Sequence, residues 1–239
     1  MADDGWLDRA QTAWDERADR WDTMSQINAL APDRAEDLRR TWDALGLAPG
    51  RRLLDAGCGS GQFALAFATL GARVTAIDLA PAMIERARDH AAVADVEVEW
   101  RVGDLAHLSD PFAVYHAIHA RVALQFVPDI PAALAEFRRV LRPGGRLLAS
   151  VPGSLSPIYR RSWRRHLRDR APHREAANFV LPWELEQLLV EFGWTIREGW
   201  GEYGTDCSGE RNPFTAAETA SLGRPLQQAT ATSWTIIAC

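Results

Sequence analysis

Arg52-Leu53-Leu54-Asp55-Ala56 is a short apolar run that passes directly into Gly57-Cys58-Gly59-Ser60-Gly61 and then into Gln62-Phe63. A run of strand length, glycine at every second position and then a helical pattern constrain the fold more than any other stretch of the chain. Glycine tolerates positive φ and lets a ligand approach the backbone where a Cβ would otherwise stand. Between a strand and a helix, such a turn aims amide N–H groups and a helix N-terminus into the crevice at the strand ends.

The alternation continues. Gln62–Leu70 reads as a helix stopped at Gly71, and Arg73–Asp78 as a second apolar strand ending in an acid, 17 positions past Gly61. Pro81–Arg88 is a helix with proline in its first turn. Val96–Val102 alternates as a third strand leading into Gly103-Asp104-Leu105. Phe112–Ala120 reads as the fourth strand, Asp129–Leu141 as a helix, and Leu141-Arg142-Pro143-Gly144-Gly145 as the turn into a fifth. Strands alternating with helices in this way predict an α/β fold.

The glycine spacing decides between ligands. A dinucleotide fingerprint, G-x-G-x-x-G, would need its third glycine at position 62, where Gln62 stands. Asp55, Gly57, Gly59 and Gly61 instead resemble the D/E-x-G-x-G-x-G loop of the class I S-adenosylmethionine-dependent methyltransferases, in the branch that modifies small molecules. The L-x-P-G-G turn at Leu141–Gly145 is also similar to that family, and the likeness covers roughly residues 50–151. It implies a Rossmann-like, mostly parallel seven-stranded sheet with an antiparallel last strand, helices on both faces and a helical cap. As one domain, the chain divides into an N-terminal helical lid (1–48), a cofactor core (49–151), a cap insertion (152–181) and C-terminal helix and strands (182–239).

For the site, the resemblance implies S-adenosylmethionine as cofactor, cradled by Asp55, Gly57, Gly59 and Gly61. Asp78 would accept from the ribose hydroxyls, and the Gly103-Asp104 position would meet the adenine amino group. Leu79, Met83, Leu105 and Arg121 complete the expected cofactor lining. Two positions depart from the family pattern: Ala113 stands where relatives commonly have Asp, and Gln125 where many have His.

Composition excludes other classes. A net charge of −5 lacks the basic footprint of bulk nucleic-acid binding. The acidic start carries no secretion signal, and no apolar run reaches membrane-spanning length, so a cytoplasmic protein is expected. Cys58, Cys207 and Cys239 have no metal-ligand spacing, and no metal site is expected. All 27 basic residues are arginine, which removes lysine from every mechanism. A homodimer is open as well as a monomer.

The flanks should hold the acceptor. Trp14 and Trp21 stand seven apart on one helical face, and the segment is similar to the aromatic and acidic lid of the family, with Trp21 over the cofactor. Leu38, Trp42 and Leu45 have the period of a docking helix. In 152–181 an arginine-rich run reads either as a solvated face or as a grip on an anionic acceptor, with Tyr159, Trp163 and Arg164 as candidate contacts. An anionic or aromatic small molecule is the expected partner. Pro182–Trp194 reads as a helix stopped by Gly193, Trp194–Trp200 as a sixth strand, Gly201–Thr232 as a long mobile loop, and Ser233–Cys239 as the last strand.

Methyl transfer to oxygen or nitrogen needs the acceptor's proton removed. His116 and His119 have opposite parity on the fourth strand, so they face opposite sides of the sheet. His119, with Arg121 just beyond it, is the first candidate base. His166, His173, Tyr159, Tyr203 and Glu202 are rivals. The expected activity is methylation of a small molecule in secondary or lipid-related metabolism, with oxygen ahead of carbon or nitrogen. The alternatives are a non-catalytic nucleoside-binding protein and an RNA methyltransferase.

Overall fold

Leu53 to Ala56 are buried without a break, the pattern of a parallel strand covered on both faces. In a computed structural model describing residues 5–157, 159–160, 180–204 and 210–239, this segment is β1 (Arg52–Ala56), an interior strand of a seven-stranded sheet. The others are β2 (Arg73–Asp78), β3 (Glu99–Val102), β4 (Tyr115–Arg121), β5 (Leu141–Pro152), β6 (Ile196–Glu202) and β7 (Ser233–Ala238). Their order is β3-β2-β1-β4-β5-β7-β6. Pairings from β3 through β5 are parallel, and β7 runs antiparallel between β5 and β6.

The chain leaves β1 toward β2 and β3, then returns to lay β4 on the other side of β1. Such a reversal opens a crevice at the carboxyl ends of the strands, where α/β sheets bind ligands. Adjacent residues of β1 feed separate cores. Leu53 packs with Phe67 of α4 (Gln62–Thr69) and with Leu45, just beyond α3 (Arg34–Ala44). Leu54 packs with Phe137 of α6 (Ile130–Val140) and Leu189 of α7 (Pro182–Glu191). Phe67 and Phe137 are fully buried, each worth roughly 1.5–3 kcal/mol of transfer free energy.

Two helices, α1 (Trp6–Asp15) and α2 (Ala18–Ala29), cross the crevice. The chain breaks between them, so Trp14 and Trp21 lie on separate helices and meet edge-on at 5.4 Å. Polar contacts fasten the pair to α5 (Pro81–Ala94) and the loop before it. Asp15 accepts from the Ala82 N–H at 2.9 Å, Asp22 pairs with His90 at 2.8 Å, and Arg86 pairs with Asp19.

Several boundaries differ from the sequence reading. The fourth strand starts at Tyr115, because Ala113 turns through φ +56° and leaves Phe112 exposed. The proline–glycine turn lies inside β5: Leu141 pairs with Tyr115, residues 142–145 bulge out, and pairing resumes between Arg146 and Ala117. The expected loop over 201–232 instead holds the end of β6 and two short helices, α8 (Ala216–Thr219) and α9 (Arg224–Thr230). Thr215 caps the first by accepting from the Glu218 N–H, while Glu218 reaches back to Thr215. No described helix is long and apolar enough to cross a membrane.

Candidate functional site

At the end of β1, Gly57, Gly59 and Gly61 take φ of +76°, +53° and +87°. A Cβ at Gly57 would stand 2.5 Å from the Ala123 Cβ, and one at Gly59 would stand 2.9 Å from Trp21 Nε1. The loop is therefore confined between the β4 end and the lid, and glycine is required at both positions. Gly61 packs beneath Trp100, away from the open side.

Asp78 ends β2 and faces this loop. Its carboxylate accepts from the Gly59 N–H at 2.8 Å and the Ala80 N–H at 3.0 Å. Burial pushes its pKa up to about 6 against the opposing pull of those amides. Asp104, beyond β3, accepts from the Ala106 N–H at 3.0 Å and pairs with His107 at 2.7 Å. The Cys58 thiol is pushed well up by burial beside Asp78 and Asp55, so it is no nucleophile.

Asp55 and His119 form a buried pair, Oδ1 to Nδ1 at 2.8 Å, with both side chains at most 3% exposed. Phe63 and Phe67 clamp the imidazole at ring distances of 4.7 and 5.5 Å. Asp55 Oδ2 and His119 Nε2 have no hydrogen-bond partner.

These groups surround a largely apolar cavity of about 290 Å³. Of the predicted cofactor residues, Trp21, Asp55, Gly57, Gly59, Asp78, Leu79, Met83, Asp104, Leu105 and Arg121 all line it, as does His119. Tyr159 is not on its wall, and Trp163, Arg164, His166 and His173 lie outside the described residues. His116 is at the other end of β4, accepting from the Arg52 N–H at 3.0 Å. Sequence reasoning did not single out Arg34, Phe63 or Phe126, which also line the wall. Phe126 meets Trp14 edge-on at 4.7 Å. No local pattern marks Arg34, because Phe63 and Arg121, beside which it lies, come from elsewhere in the chain.

Arg121 is held firmly. It donates to Asp37 at 2.7 Å and to Glu202 at 2.5 Å, joining α3 to β6. Glu202 accepts in addition from Ser233 and Thr235, and Tyr203 donates to the Gln227 carbonyl. These contacts occupy two of the rival bases. Among the described residues no cluster of His, Cys, Asp and Glu could hold a metal ion.

The wall fits an adenosyl ligand. It offers a positive-φ glycine loop, carboxylates beyond the ends of β2 and β3, and an aromatic lid. Asp55, one of whose oxygens is buried without a partner, belongs to the same wall.

Comparison with known proteins agrees with this geometry. Residues 53–145 match a family described as a methyltransferase domain. The chain is 42% identical over 112 residues to a malonyl-[acyl-carrier protein] O-methyltransferase of Serratia marcescens, covering 46% of this chain and 42% of that protein. It is 36% identical over 135 residues to a ubiquinone biosynthesis O-methyltransferase of Xanthomonas oryzae, covering 55% of each. The chain thus spans about half the length of the curated relatives it matches. Among solved structures, an S-adenosylmethionine-dependent methyltransferase from Aquifex aeolicus superposes with TM-score 0.61 at 18% identity, over 90% of this chain and 97% of that one. The [4+2]-cyclase SpnF superposes with TM-score 0.61 at 22% identity, over 85% and 79%. At such identities the likeness concerns the fold.

Proposed function

We propose, on the premise that this chain belongs to the class I S-adenosylmethionine-dependent methyltransferase family, that it methylates an oxygen atom of a small, lipid-related acceptor. The observation that carries the reading is the positive-φ glycine loop after β1, which lines the cavity opposite the Asp78 and Asp104 carboxylates, with the Gly59 N–H fixed on Asp78. Both curated relatives named above are O-methyltransferases, one of malonyl-[acyl-carrier protein] and one of ubiquinone biosynthesis, which supports the oxygen preference.

The cofactor supplies an activated methyl group on a sulfonium, and the protein contributes alignment and exclusion of water. Asp78 has lone pairs left to accept ribose hydroxyls while its amide bonds hold the carboxylate still. Trp21, braced edge-on by Trp14, offers an indole to a cation, worth on the order of 1 kcal/mol. Trp14, Trp21 and Phe126 close the apolar side of the cavity against solvent.

His119 is the group we assign to the acceptor's proton. With its Nδ1–H donated to Asp55, the imidazole carries its lone pair on Nε2, which has no other partner. Asp55 would then stabilise the imidazolium that forms, as an orienting carboxylate does in other acid–base pairs. Its clamp between two phenylalanines keeps water from competing for that lone pair.

Calorimetry with S-adenosylmethionine, its demethylated product and NAD tests the cofactor assignment. Micromolar binding of both sulfur nucleosides without NAD is expected, and failure of both to bind overturns the reading. Transfer of a labelled methyl group to phenolic and carboxylic acceptors, with recovery of an ether or ester, then tests the oxygen preference.

A further inference from the structure

Among the described residues, three that are not glycine have a left-handed backbone: Asp95, Ala113 and Val122, at φ of +53°, +56° and +51°. Asp95 ends α5, where a short polar side chain tolerates that turn. Val122 is the β-branched member of the three, and a branched Cβ is the least suited to a left-handed residue. It stands on the cavity wall immediately after β4. A conformation held against such a preference persists only where the surroundings over-determine it, and such residues gather at functional sites.

The surroundings of Val122 are specific. Its N–H is shared between the Ser150 carbonyl at 3.1 Å and the Ser150 hydroxyl at 3.0 Å. Ser150 is wholly buried on β5, opposite Arg121 in the parallel register, and it is not on the cavity wall. Before the turn, Arg121 is fixed by Asp37 and Glu202. After it, the Ala123 Cβ presses on Gly57, 2.5 Å from where a Cβ of that glycine would stand.

Ser150 therefore reaches the glycine loop by a route that does not pass through the cavity. It holds Val122, Val122 sets the direction in which the chain leaves β4, and Ala123 meets Gly57 as a result. Valine is a stiffer brace here than glycine. Its branched side chain narrows the conformations open to the turn, whereas glycine would leave the chain after β4 free to move.

We propose that Ser150 and Val122 are positioning residues for the glycine loop. The buried hydroxyl keeps Val122 in its left-handed turn, and the stiffened turn seats Ala123 against Gly57. The proposal rests on the reading of that loop as the cofactor's seat, and it adds a support for the seat from outside the cavity.

Calorimetry with S-adenosylhomocysteine, the demethylated cofactor, tests this on the unmodified protein, Val122→Gly, Val122→Ala, Ser150→Ala and Val122→Gly combined with Ser150→Ala. Thermal melts of the ligand-free proteins give a second readout. Glycine adopts the left-handed turn without strain, so Val122→Gly should melt above Val122→Ala, the reverse of their order in ordinary backbone. Affinity should run the other way, about tenfold weaker in Val122→Gly and within about threefold of normal in Val122→Ala, because the turn is no longer pre-organised in the first. Ser150→Ala should bind about fivefold more weakly, yet cost less than about twofold when added to Val122→Gly, where the residue it holds is already free. Unchanged affinity in Val122→Gly overturns the proposal. So do losses that multiply in the combined variant, which would make the two residues independent packing positions. If Ser150→Ala does not fold, the opposed orders of melting and affinity in the two Val122 variants still decide. Failure of the unmodified protein to bind S-adenosylhomocysteine sinks the methyltransferase reading and this proposal with it, whereas normal binding with unaltered variants sinks the proposal alone.

Discussion

Asp55 and His119 stand directly opposite each other in the register of β1 and β4, and their side chains meet at 2.8 Å between the sheet and α4. The pair costs a buried carboxylate and a buried imidazole their water, and each is left with one unpartnered atom. Such polar groups are retained in a core against a penalty of roughly 1–3 kcal/mol apiece. Both residues line the cavity, and the role proposed for His119 uses one of the two free atoms.

Asparagine at position 119 separates holding from proton transfer. Its amide N–H can still donate to Asp55, but it has no counterpart to the Nε2 lone pair. His119→Asn should retain the fold and the affinity for the demethylated cofactor while turnover falls by about 10²-fold or more. The more disruptive His119→Ala should also lose stability, by about 2–4 kcal/mol, since it leaves Asp55 buried without its partner. Denaturant unfolding, calorimetry and turnover on one acceptor read the three effects. Near-normal turnover in His119→Asn would remove His119 as the base.

The glycine loop and the strand-end acid were legible because a positive-φ turn can be written in few ways, and Asp78 follows from the strand–helix spacing. The parity of His116 and His119 was legible too, since side chains alternate on a strand. Its partner was not, because cross-strand register depends on the whole sheet. Arg34 left no trace in the sequence: it is an arginine opening an ordinary helix, and Phe63 and Arg121 are brought to it by folding. The segment after β6 was misread through its glycines and serines, although the Thr215-x-x-Glu218 capping pattern marked a helix start.

Two glycines of similar φ but different surroundings separate backbone strain from crowding. Gly57 and Gly144 have φ of +76° and +75°, yet a Cβ at Gly144 meets nothing within 4 Å. Gly144→Ala should lose only the backbone strain, on the order of 1 kcal/mol. Gly57→Ala adds a Cβ 2.5 Å from the Ala123 Cβ, which has no side-chain freedom to yield. Its loss should exceed that of Gly144→Ala by at least about 1 kcal/mol, and nucleoside affinity should fall as Ala123 moves. Equal melting temperatures would mean that the loop and the end of β4 are not pressed together.

Asp78 gives the site a pH dependence whose sign follows from its raised pKa. Burial favours the neutral acid and moves its titration from 3.8 to about 6. In the ligand-free protein, this group's contribution to stability is complete below 3.8 and is lost as pH rises through about 6. Ligand binding has the opposite slope, because ribose hydroxyls donate to the ionised form. Affinity for the demethylated cofactor should therefore be flat above pH 7 and fall below pH 6, approaching tenfold per unit. Asp78→Asn should bind at least tenfold more weakly, because its single acceptor oxygen cannot serve the Gly59 and Ala80 amides and a ribose together. The same variant should lose the pH slope. Calorimetric titrations between pH 5 and 8 on both proteins read the two effects, and a slope that persists in Asp78→Asn would transfer it to another group.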